Sequence, residues 1–293
     1  MLQLPLAERC LFFGILISSI ASAILGYLQL VREDIRVRRG LIAVVAMMMA
    51  LSAGLLGVRA VEIRAFPLTG VFESVIFLLI GIGITFLFFS AFLRQVWFAS
   101  AMAWVFLALV LLAATVAGPA STLLEAAHTP WIIVHALSMI LSGAMIVFST
   151  VMALLYLHSA RRLKDKRILA LFGKMPNLEK LESLNLLGLQ FSFVAMSFGL
   201  ITGIGMAMVK SDSLHMTAQD WLTDSKIVMI LLAWLLLLVT LLLKYGLAFR
   251  GKTLARLTLM VCFFILFAFI GSTILCKSGH NFHHSSVQMD GEA

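Results

Sequence analysis

Long apolar runs alternate along the chain with short polar segments, most of them basic. A helix needs about 20 apolar residues to cross the hydrocarbon core of a bilayer. Runs of that kind lie at 10–30, 41–58, 69–93, 96–117, 132–157, 186–209, 227–248 and 257–276. Each holds few or no ionisable residues. The alternating ~10-residue segments of a membrane β-barrel do not dominate anywhere. The pattern predicts an all-α, polytopic integral membrane protein with about eight transmembrane helices.

Composition agrees with this and narrows the class. Of 293 residues, 62% are hydrophobic and only 12% are charged. The charged share is about half that of an average soluble domain. The mean hydropathy of +1.06 leaves too little polar surface to cover a soluble globule. A soluble enzyme, a disordered chain and a disulfide scaffold are all excluded. Glu8 and Arg9 precede the first run, in place of the basic start of a signal peptide, so that run is read as a retained span. No linker rich in Gly, Ser or Pro and no internal repeat divides the chain. Residues 1–293 are expected to form a single membrane domain.

The basic residues orient the spans. Runs one, three, five and seven are followed by sixteen of the 22 Lys and Arg residues. They include Arg32, Arg36, Arg38 and Arg39, Arg94, seven between Arg161 and Lys180, and Lys244 to Arg256. Arg9, Arg59, Arg64, Lys210, Lys226 and Lys277 fall on the other side. The positive-inside rule places the sixteen in the cytoplasm and both termini outside. In a bacterium this makes a multi-pass protein of the inner (plasma) membrane. Residues 158–185 are expected to be a basic cytoplasmic loop. Its basic and apolar residues interleave from Arg161 to Lys174, as in a helix lying on anionic membrane lipid. A docking site for a cytoplasmic partner is the alternative. Nucleic acid is not an expected partner, because the basic cluster sits where topology alone would put it.

Candidate chemistry gathers on the outer side. Of the 7 histidines, His128, His135, His215, His280, His283 and His284 fall there, and only His158 falls inside. His135 follows Pro130 and Trp131 at the outer end of the fifth helix. His280 follows the end of the eighth. Neutral imidazole is a good axial ligand for haem iron, so two histidines from separate helices can clamp a flat macrocycle. The alternative for either is an amphipathic side chain at headgroup depth. Glu73, near the outer end of helix three, is the most deeply placed acid, with Arg59 and Arg64 as candidate partners. The outer loop 210–226 carries Trp221, Asp224 and Lys226. Trp221 can lie on a porphyrin or at the lipid interface. Asp224 can cap the seventh helix. Ser138, Ser142, Gly143, Gly199, Gly203 and Gly205 are read as close-packing residues of helices five and six. Cys10, Cys262 and Cys276 form no C-x-x-C pair and are read as buried thiols.

Taken together, these segments resemble the cytochrome c assembly family of haem-handling membrane proteins, in its CcsA/CcmC/HemX-like range. Pro67 to Phe77 is similar to the family's early proline and Glu-Ser element, with Glu73 and Ser74 in place. Trp131 to Tyr156 resembles its histidine-bearing helix and puts His135 on the first outer histidine. Leu181 to Gly205 looks like the helix that leads into the haem-facing loop. Asp224 and Lys226, then Trp234 and Arg250-Gly251, match the segment after that loop. Ser278-Gly279-His280 resembles the element with the second outer histidine. The family's run W-G-x-x-W-x-W-D keeps only Trp221 and Asp224, with Thr217 and Thr223 where tryptophans would stand. That departure points to the shorter HemX-like or YpjD-like members rather than to a complete cytochrome c synthase.

The resemblance implies that haem, expected as haem b, lies at the outer surface between His135 and His280 as axial ligands. Trp221 would face the ring, with Asp224 and Glu73 also at the cofactor site. Propionates would meet Arg59, Arg64 or Lys226. Expected partners are apocytochrome c and a second membrane assembly protein that presents it. The expected role is an assembly factor or haem chaperone rather than a stand-alone enzyme. Two alternatives are a regulator of haem biosynthesis acting through 158–185 and a transporter of haem or another anionic solute.

Overall fold

The computed structural model describes residues 4–32, 34–64, 66–68, 70–92, 96–117, 130–164, 177–214, 225–247 and 249–268. Within them the secondary structure is helical and no strand is present. The helices are α1 (Leu6–Arg32), α2 (Ile35–Ile63), α3 (Val71–Phe92), α4 (Val96–Thr115), α5 (Pro130–Lys164), α6 (Leu178–Leu214), α7 (Ser225–Gly246) and α8 (Lys252–Leu266). Seven of them, α1 to α7, are long and apolar enough to cross a membrane. The fold is that of a polytopic, all-helical membrane protein. Many large apolar side chains point away from the bundle, among them Ile17, Phe88, Phe198 and Phe263, as a lipid-facing surface requires.

Local chemistry sets several of the helix ends. Asp34 caps α2 by accepting the Arg36 N–H at 2.9 Å. Arg64 ends α2 in the left-handed region, at φ 52°. Pro130 opens α5, where a missing N–H costs nothing. Asn177 caps α6 through the Glu179 N–H at 2.9 Å.

Side-chain contacts give the directions. Arg59 near the end of α2 meets Glu8 at the start of α1 and Glu73 at the start of α3. Phe89 of α3 stacks on Phe148 of α5 at 4.2 Å, while Gly81 lies by Ala144 and Ile140, so these two helices run parallel. Trp234 of α7 reaches Ser197 and Lys244 reaches Glu182, so α6 and α7 run antiparallel. Thus α1, α3, α5 and α7 run one way, and α2, α4, α6 and α8 return. One end of the bundle carries Arg32, Arg36, Arg38, Arg39, Arg161, Arg162 and Lys180. The other carries Glu8, Arg59, Glu73 and His135.

Two apolar clusters share α5. The larger joins α1 to α4 with one face of α5, through residues such as Phe12, Met48, Ile76, Phe106 and Phe148. The smaller joins Ile146 of α5 to Leu189, Met196, Leu237 and Val261 of α6, α7 and α8. Cys262 is buried in it, whereas Cys10 is exposed on α1, contrary to the expectation of a buried thiol. The hydropathy boundaries of α5 and α6 also fall short. Both helices run through charged residues that a hydropathy window rejects but an α-helix accepts. Residues 158–164 and 178–185 are therefore helix, and 165–176 lie outside the described residues.

Candidate functional site

His135 sits in the second turn of α5, half-buried against α6. Its Nδ1 lies 2.7 Å from the Gly199 carbonyl oxygen. A carbonyl only accepts, so Nδ1 carries the proton and donates it, and in the neutral imidazole the lone pair falls on Nε2. A backbone carbonyl behind one ring nitrogen is the arrangement that fixes ring orientation and raises the basicity of the other. The groove beneath the ring is made by glycine. A Cβ at Gly203 would lie 3.0 Å from the ring's Cε1 and 3.1 Å from Nδ1. One turn away, a Cβ at Gly199 would strike the Met139 sulfur at 2.5 Å. Thr202 Oγ1 also reaches the Gly199 carbonyl at 3.0 Å. Trp131, one turn toward the start of α5, is half exposed and lies over Gly205.

Glu73 belongs to a second constellation at the same end of the bundle. Its carboxylate accepts from Nη1 of Arg59. Glu8 Oε2 accepts from Nη2 at 2.8 Å and from Nε at 3.1 Å. The guanidinium carbon lies 4.6 Å from the centre of the Phe72 ring. All three charged side chains are buried, Arg59 at 1% exposure. The sequence placed Arg59 correctly as a partner for Glu73. It missed Glu8, which reads as the flank of the first span. Arg59 was also a candidate for haem propionates. Buried between two carboxylates, it is not available at the surface for that role. Arg64 is exposed.

The structure thus describes two of the sequence-predicted site residues, His135 and Glu73, each in a defined setting. Trp221, Asp224 and His280 lie outside the described residues, as does the side chain of Lys226. His158 is exposed at the opposite, basic end, near Trp97 and Arg162. Among the described residues no group of three His, Cys, Asp or Glu side chains is arranged to hold a metal ion.

The cytochrome C assembly protein family matches residues 68–280, more than two thirds of the chain. The chain belongs to the cytochrome c assembly family. Membership supports a role in cytochrome c biogenesis and implies the handling of haem and of apocytochrome. No individual curated protein matches the chain. The family match takes in Glu73, His135, the α5–α6 pair and His280. It begins after Glu8 and Arg59, so the buried ion pair joins the N-terminal helices to the family region.

Proposed function

We infer that the protein holds haem for cytochrome c biogenesis at the outer face of a bacterial plasma membrane. In this reading His135 gives one axial imidazole and His280 the other. The observation that carries it is the Nδ1–H of His135 donated to the Gly199 carbonyl, which presents Nε2 as the basic nitrogen. Imidazoles that bind metal are typically backed in this way. The donor set fits haem iron, for which neutral imidazole is a common ligand.

Trp131 adds an aromatic surface one turn from His135. Trp221 and Asp224, what remains of the family's tryptophan run, lie outside the described residues. Haem bound here is cargo, handed to an apocytochrome whose own cysteines form the thioether bonds. This chain's residues orient the ring and occupy the iron. Glu73 acts at a distance, by anchoring Arg59 and closing the outer ends of α1, α2 and α3.

The test is an absorption spectrum of the purified protein in mild detergent, before and after haem is added. The wild type is expected to show a low-spin, bis-histidine spectrum. His135→Ala/His280→Ala is expected to lose it, and His158→Ala to keep it. Equal haem content in all three proteins would remove the site.

A further inference from the structure

The α5–α6 seam carries a repeat that packing alone does not require. Three side-chain hydrogen-bonding contacts cross it among the described residues: His135 to Gly199, Ser142 to Ser192, and Ser149 to Asn185. The α5 partners are seven residues apart and so are the α6 partners. The two helices are antiparallel, so all three rungs belong to a single register. Seven residues is the repeat at which two helices keep the same faces together along a left-handed crossing. Each rung lies about 10 Å from the next along the helix.

The rungs are built from hydroxyls that forgo their own helix. Ser18, Ser52 and Thr240 satisfy themselves on carbonyls four residues back. Ser142 Oγ instead donates across the seam to the Ser192 carbonyl at 3.0 Å, and Ser192 Oγ to the Ser142 carbonyl at 3.1 Å. Ser149 Oγ faces both the Asn185 carbonyl at 2.8 Å and Asn185 Oδ1 at 2.5 Å. All four of these residues are buried. Sliding the pair by one turn would shift His135 by about 5 Å and take each side chain off the partner it now faces.

Asn185 extends the register to a third helix. Its Oδ1 also accepts from Thr258 of α8 at 3.1 Å. One turn earlier on α6, Glu182 Oε2 accepts the Gly251 N–H at the start of α8, at 3.0 Å, while Oε1 meets Lys244 of α7 at 2.6 Å. Gly251 and Thr258 are seven residues apart while Glu182 and Asn185 are three, so α8 is tied to α6 at two points rather than by the seven-residue repeat. Gly251 has φ 65° and the Tyr156 hydroxyl against it, so the entry to α8 is held from α5 as well.

We propose that α6 is a ruler for α5 and α8: Asn185, Ser192 and Gly199 set the height of α5 and so of His135, and Glu182 and Asn185 set the height of α8. Asn185 and Ser192 are then positioning residues for the haem ligand, and Asn185 is the joint between α5 and α8. The proposal rests on the haem reading above. It adds that the imidazole's position is determined by polar contacts up to two rungs away.

The experiment has two arms. The first needs no haem. Ser142→Cys and Ser192→Cys are introduced with Cys10→Ser, Cys262→Ala and Cys276→Ser, and a protease site is placed within 165–176. Disulfide formation then holds the two cleaved halves together on a gel. Adding Ser149→Ala, which removes the hydroxyl donor of that rung, is expected to lower the yield about threefold, the scale of one interhelical hydrogen bond in a membrane. Asn185 Oδ1 keeps the Thr258 hydroxyl in this variant, so the bundle is expected to fold.

The second arm is haem titration of Ser149→Ala and of Ser142→Ala/Ser192→Ala, read by Soret absorption and resonance Raman. Low-spin signal is expected to give way to high-spin in both, while Ser142→Ala alone, which keeps the Ser192 to Ser142 contact, falls between. A merely structural role would lower the melting temperature and leave the spin state of the folded protein unchanged. An unchanged cross-link yield, or an unchanged spin state in a wild type that binds haem, overturns the ruler. A wild type with no low-spin signal overturns the haem reading, and with it the role given to the ruler, whatever the cross-link shows.

Discussion

At the scale of single residues, glycine does as much for the candidate site as histidine does. The His135 ring rests where a Gly203 side chain would be, with a Cβ 3.0 Å from Cε1. Gly203→Ala must push the ring or part α5 from α6. Overpacking of this kind costs about 1–3 kcal/mol. If the strain falls on the imidazole, haem affinity measured by Soret titration is expected to drop about tenfold or more. Unchanged affinity would show that the ring does not need its groove. The buried ion pair gives a second residue-scale prediction. Arg59→Met leaves Glu8 and Glu73 facing each other without their cation. Breaking a buried pair this way costs about 3–5 kcal/mol, whereas removing all the charges together is far milder. Arg59→Met is therefore expected to melt early in detergent, followed by tryptophan fluorescence. Glu8→Gln/Arg59→Met/Glu73→Gln is expected to recover most of the loss. Of these residues, the Glu73–Arg59 pair was legible in the sequence as one of two pairings, with Arg64 the other, because polar groups at the end of an apolar run are conspicuous. The Gly199 carbonyl was not, since every residue has one. Glu8 was not, because an acid before a span looks like its solvated flank.

At the scale of elements, hydropathy located the helices and misjudged their ends. It reads where lipid is, not where the hydrogen-bonded spiral stops. The charged turns of α5 up to Lys164 and of α6 from Leu178 remain helical, with Asn177 capping the latter. Those turns matter, because Glu182 lies in one of them. Its carboxylate joins three helices by taking the Lys244 ammonium and the Gly251 N–H. Hydrogen bonds to charged groups contribute about 1.5–3 kcal/mol where they are not fully solvated. Glu182 and Lys244 are partly shielded, which favours the lower part of that range. Glu182→Ala is thus expected to lower the melting temperature by a few degrees. Its amide-exchange signature is faster exchange at the start of α8 with α1 to α4 unaffected. Exchange that rises evenly over the whole protein would argue against this local role. The seven-residue spacing of Ser142 and Ser149, and of Asn185 and Ser192, was present in the sequence too. Small polar residues on apolar helices read as packing residues, and only the facing helix shows which hydroxyls reach across.

At the scale of the whole molecule, the bundle separates its chemistry by end. The described basic residues from Arg32 to Arg39, with Arg161, Arg162 and Lys180, share one end. Glu8, Arg59, Glu73 and His135 share the other. Positive charge is retained on the cytoplasmic side, so the His135 end is expected to face outward. That orientation is what makes the haem reading coherent, because a cargo destined for cytochromes outside the membrane must be presented there. It is open to direct measurement. Arg64→Cys marks the His135 end and Lys180→Cys the basic end, and both positions are exposed. In a background free of the native cysteines, a membrane-impermeant maleimide is expected to label Arg64→Cys in intact cells. Lys180→Cys is expected to react only after the cells are permeabilised. The reverse pattern would place His135 on the cytoplasmic side. The histidine geometry would then belong to a protein that receives haem inside the cell, and its link to attachment on the outer face would be lost.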